Sequence, residues 1–232
     1  MTIIVILIVS GALLIGALWG LWGRISDSTE GFLVALAGGA LLISAVLELI
    51  YPSMEDGRVG WVLVSVLAGA VSFALLDYLV KEKCAAGQGA GLLMAITLDG
   101  VPENLALGVS LIGTAPMTVA ALSCSIFLSN LPEAAGGARE MREGKLSRRT
   151  VLLLWTAAAL LLSLAALAGH WLLADIDDAI LAYIRCFAGG AVVASLAIEV
   201  FPKAFSKDNY WSGVAAALGL VIALFLHALG EG

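Results

Sequence analysis

Six acidic side chains lie inside the apolar stretches of this chain, where their negative charges need compensation. They are Glu48, Asp77, Asp99, Glu103, Glu133 and Glu199, and the one basic residue within the same limits is Arg185. A charge at the centre of a bilayer costs at least about 2.5 to 3.5 kcal/mol on insertion scales, so such carboxylates must be protonated, hydrated or bound to a cation. A pathway for cations is the simplest explanation of this excess of acids.

Two pairs of polar residues with helical spacing predict a single ion-binding site. Asp99 and Glu103 are four residues apart, as are Ser129 and Glu133. Residues at this spacing share one helix face, so the two pairs can converge on one ion between their helices. Asn130 lies beside the second pair.

A proline precedes the glutamate of each pair. Pro102 and Pro132 each remove a helical N–H, which frees the carbonyls of Leu98 and Leu128 as further oxygen ligands. The alternative is a kink with a protonated acid packed between helices, but that arrangement would have to occur twice. We therefore expect the metal site to lie at these two prolines.

The other acids lie nearer the ends of their stretches. Glu48 and Glu199 suit an entrance relay and an exit relay around a midplane site, although interfacial carboxylates explain them equally well. Asp77 is expected to pair with Lys81, one helical turn further on.

The elements that position these residues are predicted to be membrane-spanning helices. Hydrophobic residues make up 61% of the 232 residues and charged residues 13%, and the mean hydropathy is +1.04. Stretches near the length of about 20 residues that crosses hydrocarbon occur eight times. They cover 3–22, 31–51, 60–80, 87–113, 116–138, 150–173, 179–201 and 210–229. The sequence thus predicts an all-α polytopic membrane protein of eight transmembrane helices, with residues 1–232 forming one transmembrane transporter domain.

Basic residues in the connectors predict the orientation, because they are retained on the cytoplasmic side. One face carries Arg24, Lys81, Lys83, Arg139, Arg142, Lys145, Arg148, Arg149, Lys203 and Lys207, whereas the other has only Arg58 and Arg185. Both termini should therefore be extracytoplasmic. Cysteines at Ser53 and Ile176 should react with an impermeant reagent from outside, and one at Ser147 should not.

The chain contains an internal repeat. Ala37–Ala40, Ser44 and Glu48 recur 151 residues later as Ala188–Ala191, Ser195 and Glu199. The predicted orientation makes the two copies antiparallel, as in transporters built from inverted repeats. Spans 1–3 and 6–8 would then flank a central pair, spans 4 and 5, in which Pro102-Glu103 recurs as Pro132-Glu133.

These motifs resemble the ZIP (Zrt/Irt-like) family of metal transporters over the whole chain. The fourth span of that family typically reads His-Asn-x-Pro-Glu-Gly, and the fifth carries a polar pair followed by x-Pro-Glu. Here the fourth reads Asp99-Gly100-Val101-Pro102-Glu103-Asn104 and the fifth Ser129-Asn130-Leu131-Pro132-Glu133.

The resemblance implies a ligand set and a mode of action. Asp99, Glu103, Ser129 and Glu133 take the positions of the main metal site, while Glu103, Asn130 and Glu133 take those of a neighbouring second site. This chain departs from the pattern at Gly100, in the absence of an acid from span 6, and in a short connector at 81–88 in place of a histidine-rich loop. A single-site transporter is implied, together with a homodimer and an elevator-like motion of spans 1, 4, 5 and 6 against spans 2, 3, 7 and 8.

We therefore expect a cell-membrane transporter that carries divalent cations such as zinc, manganese, iron or cadmium into the cytoplasm by alternating access. The metal is its transported substrate, no resident cofactor or nucleic acid partner is expected, and the partners are the lipid bilayer and a second copy of the chain. A proton or monovalent-cation conductor could use the same carboxylates. An intramembrane protease is disfavoured, because Gly-x-Gly-Asp is absent and Ser129 has no histidine near its depth.

Overall fold

The computed structural model of the protein describes residues 2–23, 25–84, 90–113 and 119–230, with 83, 84 and 90–96 described by their backbone alone. This part of the chain folds into eight long helices. They are α1 (Thr2–Trp22), α2 (Asp27–Asp56), α3 (Val59–Cys84), α4 (Ala90–Ser110), α5 (Ala120–Glu143), α6 (Arg148–Leu172), α7 (Asp178–Lys207) and α8 (Ser212–Gly230). Arg24 and the predicted first residues of spans 4 and 5, Gly87 and Pro116, lie outside the described residues.

Three helices begin at a polar cap, which fixes where each apolar segment starts. The side chains of Ser26, Ser147 and Asp177 accept hydrogen bonds of 3.0 to 3.1 Å from backbone N–H groups two or three residues further on. Such caps satisfy N–H groups that have no partner inside the helix. α2 consequently begins before the predicted apolar stretch, which starts at residue 31.

Both α2 and α7 contain one wide turn next to a proline. The turns cover Val46–Ile50 and Leu196–Val200, where the N–H of Tyr51 bonds to the Val46 carbonyl and that of Phe201 to the Leu196 carbonyl. Pro52 and Pro202 follow two residues after these turns. A proline lacks the N–H and clashes with the carbonyl four residues earlier, so the helix widens into a π-turn instead of breaking.

Six of these helices are long and apolar enough to cross a membrane, namely α1, α2, α3, α6, α7 and α8. Their outward faces carry exposed apolar side chains, including Ile4, Leu67, Leu153 and Phe225, as contact with lipid requires. α4 and α5 are outside this set. The hydropathy of these two helices is lowered by four strongly polar residues, namely Asp99, Glu103, Asn130 and Glu133.

α2 packs on α8 and α3 packs on α7, with glycines where the helices cross. At four of these glycines an added Cβ would collide with a backbone carbonyl oxygen of the facing helix. The pairs are Gly39 with Ala216, Gly219 with Leu36, Gly190 with Val66 and Gly69 with Phe187. Small residues let the backbones approach this closely, which is how helices associate in lipid.

α1 packs on α5, and α4 packs on α6, by the same device. Gly16 and Gly20 of α1 lie against backbone carbonyls of α5, and Gly108 of α4 lies against the Ala166 carbonyl of α6. Trp155 of α6 is fully buried in a cluster with Leu13 of α1. The four helices α1, α4, α5 and α6 thus form one packed group, and α2, α3, α7 and α8 form another.

The two ends of the bundle differ in their charged residues. At one end Arg139 and Lys207 both contact Glu30, and Lys81 contacts Glu199. These three basic residues are among those that the sequence assigns to one face of the membrane.

The expectation that a cysteine at Ser53 would react with an impermeant reagent is wrong. Ser53 is fully buried and donates to the Leu49 carbonyl at 2.6 Å.

Candidate metal site

Asp99 is held across a helix interface. Its Oδ1 accepts a hydrogen bond of 2.8 Å from the hydroxyl of Ser195. Asp99 lies in α4, and Ser195 is the last residue of α7 before its π-turn. This contact joins the two helix groups at the first of the predicted metal ligands.

Glu103 and Glu133 lie with Asp99 in the interior. Only 3% of Glu103 is exposed, and Asp99 and Glu133 are partly buried. Three carboxylates within electrostatic reach of one another repel in their ionised forms, most strongly where water is scarce. A divalent cation would relieve this repulsion.

The carboxylates are nevertheless spread out in this conformation. Among the residues that the structure describes, no three His, Cys, Asp or Glu side chains lie close enough to hold one metal ion. Closure of the predicted ligands around an ion therefore requires side-chain movement.

The two predicted ligands of α5 next to Glu133 face different surroundings. Ser129 is 6% exposed and Asn130 is 2% exposed. The amide nitrogen of Asn130 donates to the Val9 carbonyl of α1 at 3.2 Å. Its amide oxygen is the atom left for a metal.

Gly100 faces α6 rather than a polar cavity. A Cβ at this position would lie 2.5 Å from Cδ1 of Leu162, whose side chain is buried in an apolar cluster. Leu162 thus occupies the space into which a side chain at position 100 would point. A ligand at this position would require Leu162 to move.

Glu199 lies in the π-turn of α7, where it contacts the ammonium group of Lys81. The same ammonium lies 2.9 Å from Asp77, which confirms the predicted pair of Asp77 and Lys81. Lys81 therefore neutralises two acids at once, and one of them is the predicted exit relay.

Glu48 occupies the corresponding π-turn of α2. Its Oε1 accepts a hydrogen bond of 2.9 Å from the Leu122 N–H, whereas its buried Oε2 has no hydrogen-bond partner. It lines a cavity of about 530 Å³ together with Glu55, Arg185 and His227. This cavity lies at the end of the bundle opposite to Glu30 and Lys207.

Sequence reasoning missed Glu30, which is the most deeply buried acid of the described chain. It is fully buried and contacts Lys207 of α7 and Arg139 of α5, the latter at 3.4 Å. Gly136 of α5 makes room for the carboxylate, since an added Cβ would collide with its Oε1. The two basic partners are distant in the chain, so no local spacing could have revealed the cluster.

Comparison with known proteins gives one informative similarity. A protein of Arabidopsis thaliana named "Putative zinc transporter" is 25% identical over 220 residues, which cover 90% of this chain and 35% of that protein. The chain therefore spans about a third of the relative's length. No protein-family model matches the chain. The similarity supports the resemblance to metal transporters drawn from the Pro-Glu motifs.

Proposed function

We propose that this protein is a membrane transporter that moves divalent metal cations, of the zinc, manganese, iron or cadmium class, into the cytoplasm. The ion would bind between α4 and α5, with Asp99, Glu103, Ser129, Asn130 and Glu133 as its ligands. The observation that carries the proposal is that Glu103, Ser129 and Asn130 are buried inside the bundle, on the same two helices as the partly buried acids Asp99 and Glu133. The similarity to a protein named as a zinc transporter points the same way.

The donor atoms suit such an ion. Carboxylate, hydroxyl and amide oxygens bind divalent cations, and zinc accepts carboxylate oxygens although it prefers nitrogen and sulfur. Because the carboxylates stand apart in this conformation, the cation would draw them together. Leu162 beside Gly100 favours one site over two.

The fold would be an inverted repeat of spans 1–3 and 6–8 around spans 4 and 5, with eight helices crossing the membrane. Supporting this, α2 packs on α8 as α7 packs on α3. Gly39 and Gly190, which are equivalent in the two copies, each lie against a backbone carbonyl of the facing helix. Each copy also carries one π-turn, at Val46–Ile50 and Leu196–Val200.

Transport would proceed by movement of the group α1, α4, α5 and α6 against the group α2, α3, α7 and α8. The glycine contacts at the helix crossings lie within each group. The Ser195–Asp99 bond crosses between the groups, as do the contacts of Glu30 with Gly136 and Arg139. The transporter would be a homodimer, as the family resemblance implies.

A proton or monovalent-cation conductor is the second candidate. It is favoured by the absence, in the described part of the chain, of three acidic, histidine or cysteine side chains close enough to hold a metal. Such a conductor would use the buried carboxylates one at a time and would need no joint coordination.

Uptake by purified protein in liposomes distinguishes the two candidates. Dyes inside the vesicles would report Zn²⁺, Mn²⁺ or protons, and the proposed function predicts saturable metal entry that a second divalent ion inhibits. Proton or potassium flux that divalent ions neither support nor inhibit would favour the conductor. Calorimetry on the same preparation would give the number of metal ions bound per chain.

A further inference from the structure

We propose that Ser195 is a positioning residue of the metal site, whose hydroxyl fixes the Asp99 carboxylate and thereby sets metal affinity. The inference rests on the proposed function. Ser195 is fully buried, and its Oγ lies 2.8 Å from Oδ1 of Asp99. It is a residue of α7, outside the two helices that would supply the ligands.

The hydrogen bond of Ser195 differs from those that serines in helices usually make. Ser53, Ser123 and Ser125 each donate to the carbonyl four residues earlier in their own helix, at 2.6 to 2.7 Å. Ser195 instead donates to a carboxylate of another helix. Because a hydroxyl has a single hydrogen, this contact uses the whole donor capacity of Ser195.

The contact has a direct consequence for metal binding. A hydrogen bond to an ionised carboxylate is stronger than one between neutral groups, so it holds the Asp99 side chain in one orientation. One carboxylate oxygen is occupied and the other remains for the ion. Groups that orient metal ligands in this way change affinity by about 10- to 100-fold when they are removed.

The same bond ties affinity to the conformation of the transporter. Ser195 belongs to the helix group α2, α3, α7 and α8, whereas Asp99 belongs to the group that would move against it. A displacement of α4 along α7 breaks the bond and releases the Asp99 carboxylate from its fixed orientation. Metal would therefore bind tightly in the present arrangement and weakly after the movement.

The repeat provides a matched control at Ser44. This residue corresponds to Ser195 and is also buried, but its Oγ lies 3.1 Å from the hydroxyl of Ser125. Ser125 uses its hydrogen on the Ala121 carbonyl at 2.6 Å, so Ser44 is the donor between the two serines. Ser44→Ala thus removes an equivalent hydroxyl that touches no predicted ligand.

The test measures Zn²⁺ and Mn²⁺ uptake in liposomes, and binding of both ions by calorimetry. Ser195→Ala should raise KM and Kd about tenfold, with the maximal rate changed less than twofold. For Mn²⁺, Ser195→Cys should resemble Ser195→Ala, because a thiol is a weak donor of nearly the same size and manganese prefers oxygen ligands to sulfur. Ser44→Ala should leave KM and Kd unchanged.

Four results would overturn the assignment. Equal effects of Ser195→Ala and Ser44→Ala would indicate packing alone, and so would a lower maximal rate at constant KM. A Cys variant with the Mn²⁺ affinity of the parent would exclude the hydrogen bond as the cause. If the parent transports metal and Ser195→Ala has an unchanged KM, only the role of Ser195 is refuted. A parent that neither binds nor moves any divalent ion refutes the proposed function as well.

Discussion

Oε1 of Glu48 accepts a hydrogen bond of 2.9 Å from the backbone N–H of Leu122, in the first turn of α5. The residue at the N-cap position of that helix, Val119, makes no side-chain hydrogen bond to it. A carboxylate at a helix N-terminus also interacts favourably with the helix dipole. Glu48 therefore caps α5 from another helix, a role separate from the entrance relay or interfacial carboxylate that the sequence suggests.

Substitutions at Glu48 separate these two roles. Glu48→Ala removes the cap and should lower stability by about 0.5 to 2 kcal/mol, whereas Glu48→Gln keeps an oxygen acceptor and should not. Both should slow metal uptake without abolishing it, because both remove the charge. Thermal unfolding in detergent and uptake in liposomes measure the two effects. A Gln variant as unstable as the Ala variant would show that the amide cannot replace the cap.

Glu103 and Glu133 should be indispensable for transport, because the motif and its mirror copy both retain them. Glu103→Ala and Glu133→Ala should abolish metal uptake, and Glu103→Gln and Glu133→Gln should do so with the least change in volume. Loss of a carboxylate removes a formal charge as well as a ligand from the cation. Glu143→Gln is the control, since this acid lies in the same helix as Glu133 and its side chain is 70% exposed. Mild, equal effects at Glu48, Glu103 and Glu133 would instead indicate a diffuse polar pathway.

The sequence predicts those features that depend on residues close together in the chain. The four-residue step from Asp77 to Lys81 predicted an ion pair, and the structure contains it at 2.9 Å. The apolar runs predicted the helices, whose ends shift where polar caps extend them, as at Ser26.

Contacts between segments that are far apart in the sequence cannot be predicted in this way. Glu30 and Lys207 are separated by 177 residues, so no periodicity links them. The predicted second span begins at residue 31, so Glu30 falls in a connector. The bond of Ser195 to Asp99 likewise depends on how α7 crosses α4. The signal available was the repeat itself, which singled out Ser195 without indicating its partner.

The buried ion pairs of Glu30 should dominate stability at their end of the bundle. Glu30→Ala removes the fully buried partner of Lys207 and Arg139, which keep only the more exposed acids Glu140 and Asp27. It should cost about 3 kcal/mol, the lower end for removal of one member of a buried pair. Asp27→Ala is the matched control, because Asp27 also contacts Arg139 but its side chain is 68% exposed. Exposed pairs contribute about 0 to 1 kcal/mol. Thermal unfolding of both variants measures their loss of stability. Equal losses of stability would contradict a special role for Glu30.

Cysteine labelling tests the orientation that the basic residues predict. In a background with Cys84, Cys124 and Cys186 replaced by serine, cysteines at Asp56 and Asp175 should react with an impermeant thiol reagent on intact cells. A cysteine at Glu143 should react only after the membrane is opened. All three positions are exposed, unlike Ser53. Labelling of position 143 from outside would overturn the orientation and, with it, the inverted repeat.

Selectivity among metals should follow from the donor atoms at the site. The predicted ligands are carboxylate, hydroxyl and amide groups, and neither α4 nor α5 contains a histidine. Oxygen ligands suit harder ions such as manganese, although zinc outranks manganese in intrinsic affinity and also accepts carboxylates. We therefore expect a site that accepts several ions and binds zinc comparatively weakly.

Replacement of Asp99 by histidine should shift that preference. Asp99→His introduces the residue that the ZIP family carries at this position, and imidazole favours zinc and cadmium over manganese. Binding isotherms for Zn²⁺, Cd²⁺ and Mn²⁺ on the parent and the variant should show a higher ratio of zinc to manganese affinity in the variant. Asp77→His is a control, because this acid pairs with Lys81 at 2.9 Å outside the predicted ligand set, and its isotherms should match those of the parent. A parent already strongly selective for zinc, or an unchanged order of preference in Asp99→His, would show that Asp99 does not set selectivity.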